Sequence, residues 1–330
     1  MKLRLFTFYT VLLSCFMTAK AADGITSPFV HDPVLAYDGS RYYIYCTGQG
    51  IKVYSSADLN KWRDEPSVFD TAPQWAMKMV PGYKGHTWAP DIIFYQGKYH
   101  LFYSCSTFGK NRSAIGHAEN VTLNPSDAHY KWADKGCIVN SVPGRNEWNA
   151  IDPNVIIDGE GTPWMTFGSF WNGIKLVRLT ADMNAVAKPE EWYSLCKRTN
   201  DILPDSLPGD DAVEAPFIYH RSGYYYLFVS FDYCCRGLKS NYKIAIGRSE
   251  NIKGPYLDRE GKDMLQGGGS ILLEGDHKTY SAVGHCSVYD FAGHTYLFAH
   301  GYEIHDNGMP HLVKRELKWT AEGWPEVMQY

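Results

Sequence analysis

Asp32-Pro33-Val34-Leu35-Ala36-Tyr37, a turn at Asp38-Gly39, then Tyr42-Tyr43-Ile44-Tyr45: the reading of this stretch decides the fold. β-Branched and aromatic residues flank an Asp-Gly pair, which predicts two antiparallel strands joined by a tight turn. The pattern returns at Asp91-Ile92-Ile93-Phe94-Tyr95 with Gln96-Gly97, and at Asp152-Pro153-Asn154-Val155-Ile156-Ile157 with Asp158-Gly159. It returns again at Glu214-Ala215-Pro216-Phe217-Ile218-Tyr219 with Ser222-Gly223, and at His285-Cys286-Ser287-Val288-Tyr289 with Ala292-Gly293. A further strand is predicted after each hairpin, at 51–55, 113–117, 174–179, 243–247 and 311–316. The five openings lie 59, 61, 62 and 71 positions apart. Regular units of this length, made only of antiparallel strands, are expected to pack radially rather than as a sandwich. They predict an all-β fold, a five-bladed β-propeller, with residues 22–330 as a single domain.

The innermost strand of each propeller blade lines the central channel, so equivalent positions of different blades converge. The positions opening the repeats hold Asp32, Asp91, Asp152, Glu214 and His285. Any one of them alone would be read as a strand cap or a solvated turn residue. As a set they resist that reading, because carboxylates are rarely buried unless paired or functional. Two carboxylates suffice to hydrolyse a glycosidic bond: one donates a proton to the leaving oxygen, and the other activates water or attacks. A third acid nearby raises the pKa of the donor by like-charge repulsion.

The chain has 330 residues, a formal charge of −4, and 15% aromatics, among them 24 Tyr and 10 Trp. The charge gives no electrostatic support for a nucleic-acid partner. The aromatics suit a β-rich core, and a surplus suits a carbohydrate cleft, where sugar C–H faces stack on flat rings. Residues 1–21 have the form of a secretory signal peptide: Lys2 and Arg4 precede an uncharged run, and Ala19-Lys20-Ala21 offers small residues at −3 and −1. The apolar run is too short for a membrane span. A secreted or periplasmic protein is expected, with Cys15, after Leu12-Leu13-Ser14, as a lipoprotein cysteine the lesser reading. Cys46, Cys105, Cys137, Cys196, Cys234, Cys235 and Cys286 remain, with no spacing that implies a disulfide framework. Most are expected to be buried thiols; pairing of the adjacent Cys234 and Cys235 stays open. A monomer is expected.

Taken in order, His31-Asp32-Pro33, Thr87-Trp88-Ala89-Pro90-Asp91, Ala150-Ile151-Asp152-Pro153-Asn154, Gly168-Ser169-Phe170-Trp171-Asn172-Gly173-Ile174, Glu214-Ala215-Pro216 and Cys234-Cys235-Arg236-Gly237 resemble glycoside hydrolase family 43, and within it the arabinanases. Each motif is weakly specific; their order, spread over the whole mature chain, is not. The resemblance implies an inverting mechanism with Asp32 as general base, Glu214 as general acid, and Asp152 tuning the pKa of Glu214. Inversion places the base and acid carboxyls about 6.5–9.5 Å apart. Asp91 follows Pro90 instead of preceding a proline, and is expected to be structural. His285 is similar to the histidine that faces an axial metal ion in the arabinanases, usually calcium, largely through water. The other reading, a histidine hydrogen-bonded to a catalytic acid, stays open beside it. Calcium takes oxygen ligands, and no His-Glu-x-x-His or Cys-x-x-Cys spacing for zinc is present. His294, His300, His305 and His311 are expected to be ordinary polar residues.

Trp88 and Phe108 are expected as platforms stacking on sugar rings, with His31, Asn154, Ser169, Trp171 and Arg236 as further substrate contacts. Arg236 could instead pair with an acid and hold it ionised. The resemblance implies internal cleavage of α-1,5-linked L-arabinan, an arabinan endo-1,5-α-L-arabinosidase. Members of the family active on xylose often carry Gly where Ala215 stands, and commonly a second β-sandwich domain. The alternatives are an exo-acting arabinanase, an arabinofuranosidase or β-xylosidase of the same family, and a sugar-binding propeller without activity. The loops 61–86 and 120–149 and the insertion 196–211 are where endo or exo action would be set.

Overall fold

The computed structural model describes residues 24–198 and 212–328. The signal segment with Cys15, and most of the insertion before Glu214, lie outside the described residues. Blade 1 is Val34–Tyr37, Tyr42–Cys46, Lys52–Ser56 and Trp62–Glu65. Blade 2 is His86–Tyr95, Lys98–Cys105, Ser113–Asn120 and Ala133–Ser141, with Gly48–Gln49 added beside its first strand. Blade 3 is Asn154–Ile157, Pro163–Phe167, Ile174–Arg178 and Trp192–Cys196. Blade 4 is Val213–Arg221, Tyr224–Phe231, Lys243–Ser249 and Ser270–Leu273. Blade 5 is Tyr280–Phe291, His294–Glu303, Met309–Trp319 and Pro325–Val327. Every blade is an antiparallel meander, and the first strands touch one another in a closed ring. The protein is the predicted five-bladed β-propeller.

Local chemistry explains the hairpins. Gln96-Gly97, Ser222-Gly223 and Ala292-Gly293 each hold two successive positive φ angles, the type I′ geometry whose twist matches the strands it joins. The core lies between blades: Ile174 and Leu176 of blade 3 pack with Leu227, Val229 and Ala245 of blade 4, and Leu35 and Ile44 of blade 1 pack with Phe298 of blade 5. Each such aliphatic side chain contributes about 1.5–3 kcal/mol by leaving water. The chain start closes the ring, since Val30 donates to the Pro310 carbonyl (3.3 Å) and Leu312 to the Pro28 carbonyl (3.1 Å).

The repeat register differs from the expected one in two blades. A left-handed residue stands before the inner ladder of blades 1 and 3 and at a break in that of blades 2, 4 and 5: Asp32 (φ 57°), Ala89 (41°), Asp152 (57°), Ala215 (56°) and His285 (50°). Proline follows it in four blades and Cys286 in the fifth. The ladder runs from the next residue, as Val34 opposite Tyr45, Asp91 opposite Phe102, Asn154 opposite Thr166, Phe217 opposite Phe228 and Ser287 opposite Phe298. Asp91 therefore sits two residues past the equivalent position and Glu214 one residue before it. The common marker is the bend before the proline, not the acid.

Candidate active site

A residue bent out of the ladder leaves its backbone N–H in need of a partner. Here the partner comes from the second strand of the preceding blade. Thr47 Oγ1 accepts from Ala89 (2.8 Å), Ser104 Oγ from Asp152 (3.0 Å), Ser230 Oγ from His285 (2.8 Å) and His300 Nδ1 from Asp32 (3.1 Å). In blade 3 the corresponding residue is Gly168, which has no side chain. There the carboxyl of Asp152 takes over, and its Oδ2 accepts the Ala215 N–H at 3.1 Å. The missing hydroxyl thus draws Asp152 beside Glu214.

Asp32 stands among cations and hydroxyls. Its Oδ1 lies 2.8 Å from His31 Nδ1 and 3.0 Å from His285 Nδ1, and the Thr47 hydroxyl donates to Oδ2 at 2.5 Å. The His31 ring stacks on His300 with centroids 3.8 Å apart, and Tyr302 hydroxyl meets His31 Nε2 at 2.8 Å. Burial opposes charge on Asp32, but the charges and hydrogen bonds of His285 and His31 outweigh it and hold the carboxyl well below the usual range. Burial likewise opposes protonation of His31 and His285, and Asp32 raises both.

Asp152 and Glu214 show the opposite bias. Burial raises both, and for Asp152 the nearby Glu214 and Asp32 charges raise it further. The Ser169 hydroxyl donates to Glu214 Oε2 at 2.7 Å, and Tyr242 is a second hydroxyl partner that opposes the rise without cancelling it. The two acids form a coupled pair that binds a proton more tightly than ordinary carboxyls.

The other expected residues divide. Phe108 is 75% exposed, and Trp88 is half-buried with its Nε1 donating to His86 Nδ1 at 2.9 Å. Arg236 is exposed and lies over the Tyr233 ring at 3.8 Å. Asn154 is buried between blades: its Oδ1 accepts from Ile218 N–H (2.8 Å) and its Nδ2 donates to Asp91 (3.3 Å), which makes it a clip instead of the expected sugar contact. The Ser169 hydroxyl is committed to Glu214, and both His31 ring nitrogens are engaged, Nδ1 with Asp32 and Nε2 with Tyr302, so each positions an acid. Trp171 is 9% exposed and offers little ring surface. Asp91 is structural as expected, its Oδ2 accepting from Val155 N–H of the next blade at 2.6 Å.

Thr47, Tyr242, Tyr302 and His300 were not legible as site residues. His300, expected to be an ordinary polar residue, is fully buried against Asp32. The recoverable signal was its place in the repeat, shared with Thr47, Ser104 and Ser230. Tyr242 carried no such signal; it sits where Gly284 leaves room, since a Cβ there would lie 2.0 Å from its ring.

His285 Nδ1 lies 3.0 Å from Asp32 Oδ1, and that contact does not decide the metal reading. Among the described residues, three groups bring three ligand atoms within 4.8 Å of one another: His31 with Cys234 and Cys235, His31 with Asp32 and His300, and His100 with His117 and Glu119. None includes His285 or offers more than one carboxylate. Calcium prefers six to eight oxygens, so these side chains do not form a cage for it.

The chain matches Glycosyl hydrolases family 43 over residues 23–325. It is 47% identical to an extracellular exo-α-(1→5)-L-arabinofuranosidase of Cellvibrio japonicus, across 94% of this chain and 90% of that one. It is 41% identical to an extracellular endo-α-(1→5)-L-arabinanase of Bacillus subtilis, across 94% and 92%. Among solved structures, the α-L-arabinanase of Cellvibrio cellulosa complexed with arabinohexaose superposes with a TM-score of 0.90 at 46% identity, over 92% of this chain and 96% of that one. With its acids in opposite electrostatic settings at the centre of a five-bladed propeller, the chain belongs to glycosyl hydrolases family 43 and is a glycoside hydrolase.

Proposed function

We propose that the protein hydrolyses α-1,5-linked L-arabinan with inversion at the anomeric carbon. The observation that carries this reading is the opposite bias of the two acids: Asp32 held ionised, Glu214 favoured in its protonated form. Ionised Asp32 takes a proton from the water that attacks the anomeric carbon, and Glu214 gives its proton to the departing oxygen. Asp152, fixed on the Ala215 N–H, keeps the proton on the pair by repulsion. His31, His285 and Thr47 orient Asp32. Phe108 and Trp88 supply ring faces for the sugar. The substrate rests on the printed activities of the relatives, and secretion on their extracellular names together with the signal-like residues 1–21.

Internal cleavage is the mode expected from the sequence. Chain-end cleavage is the second reading, supported by the 47% identical relative named as an exo-enzyme. Debranched arabinan with time-resolved proton NMR tests both. A product released first in the β configuration supports inversion, and an α product overturns it. A ladder of early oligosaccharides marks endo action, and one short product from the start marks exo action. Binding of arabinan without cleavage would sink the enzymatic reading of its substrate.

A further inference from the structure

His31 and the adjacent Cys234 and Cys235 are about two hundred positions apart in sequence, yet blades 1 and 4 bring them together. Cys235 Sγ lies 3.7 Å from His31 Nε2, and the ligand atoms of all three residues fall within 4.8 Å of one another. A tetrahedral zinc-type ion with bonds of about 2.3 Å to sulfur and about 2.0 Å to nitrogen would hold those two atoms about 3.6 Å apart. The spacing is already close to that value. Cys235 is exposed, and the structure shows both cysteines as free thiols. No linear motif announces this set, because its members come from different blades.

The second contact of His31 completes the arrangement. Its Nδ1 faces Asp32 Oδ1 at 2.8 Å, leaving Nε2 toward the thiols. A carboxylate on one imidazole nitrogen and a metal on the other is the arrangement by which metal-bound histidines are oriented. The geometry points to a binding site for a thiophilic divalent cation, of the zinc or cadmium class, formed by His31, Cys234 and Cys235 at the edge of the catalytic centre. Binding releases two protons to solvent, one from Cys234 and one shared between Cys235 Sγ and His31 Nε2, and displaces the Tyr302 hydroxyl from His31 Nε2. No electron is transferred. The ion inhibits, because it locks the His31–Asp32 pair and places positive charge beside the carboxylate that must accept a proton from water. The inhibition rests on Asp32 as base; the binding does not.

Cadmium separates the two. Enzyme reduced with a phosphine and freed of metal is titrated with cadmium chloride while thiolate-to-cadmium charge-transfer absorption and arabinan hydrolysis are followed together. One ion per chain, an absorption band that grows with it, and activity lost in proportion and restored by a chelator are expected. Cys235→Ser should weaken both by at least about tenfold, with activity in the absence of metal kept. Cys137→Ser, changing a half-buried thiol of blade 2, should alter neither. No band, or a band of full strength in Cys235→Ser, overturns the site. A band without inhibition keeps the site and overturns its effect on the base. If the protein cleaves no arabinan, the band still decides the binding.

Discussion

The Asp32 side of the centre and the Asp152–Glu214 side contain the same functional group in opposite states. Both are buried, so burial does not separate them. Asp32 meets two protonatable histidines and a hydroxyl, whereas Glu214 meets the Ser169 and Tyr242 hydroxyls and Asp152 meets the Ala215 N–H and the charge of Glu214. The difference teaches that burial raises a carboxyl here unless histidine partners offset it, as they do at Asp32. Opposite partners favour charge; burial raises Glu214, and burial with the Glu214 and Asp32 charges raises Asp152.

The largest effect that tests this contrast is removal of either acid. Glu214→Gln and Asp32→Asn should each lower kcat on arabinan by about 10²–10⁴-fold. Only the Glu214→Gln loss should shrink on an activated aryl arabino-oligosaccharide, whose leaving group needs no proton. Equal losses on both substrates would break the comparison.

The pH profile of kcat/KM sharpens it. Its acidic limb follows protonation of Asp32 and its alkaline limb follows loss of the proton from the Asp152–Glu214 pair. His31→Ala removes a partner of ionised Asp32, so its pKa rises and the acidic limb moves to higher pH. Ser169→Ala removes a donor to ionised Glu214, so the alkaline limb moves to higher pH. Each shift should be about one to two pH units, from a charged hydrogen bond of about 1.5–3 kcal/mol. A single substitution moving both limbs equally would argue against two separate settings.

Smaller effects probe position alone. Thr47→Val deletes a donor to Asp32 and the acceptor for Ala89 N–H. A fall of about tenfold in kcat is expected, with little change in KM and with rescue by Thr47→Ser. Asp91→Leu should cost about 1–3 kcal/mol in thermal unfolding by stranding the Val155 N–H, while both pH limbs stay in place. Last, calcium near His285 held largely through water is a proposal that dialysis against a chelator with calcium add-back tests. Its effect should be smaller than that of any acid substitution.

Five hairpins were legible because strand residues and Gly turns are short-range signals that each blade repeats. The acids proposed for catalysis were legible as acids in a repeat, although matching on acidity misplaced Asp91 and Glu214 in register. The bend before Pro90 and Pro216 was the better marker, and it shows as backbone geometry. His300 and Thr47 were missed since a buried histidine or hydroxyl leaves no local pattern, and Asn154 was misassigned because its partners belong to other blades.

The sequence by itself determined the five-bladed architecture and the acids Asp32, Asp152 and Glu214, since both are written within single blades. Only the tertiary structure decided their settings: the three histidines around Asp32, and the vacancy at Gly168 that turns Asp152 toward Ala215. The physical reason is that a carboxyl's proton affinity depends on charges and donors within a few ångströms. In a propeller those donors come from neighbouring blades, distant in the chain.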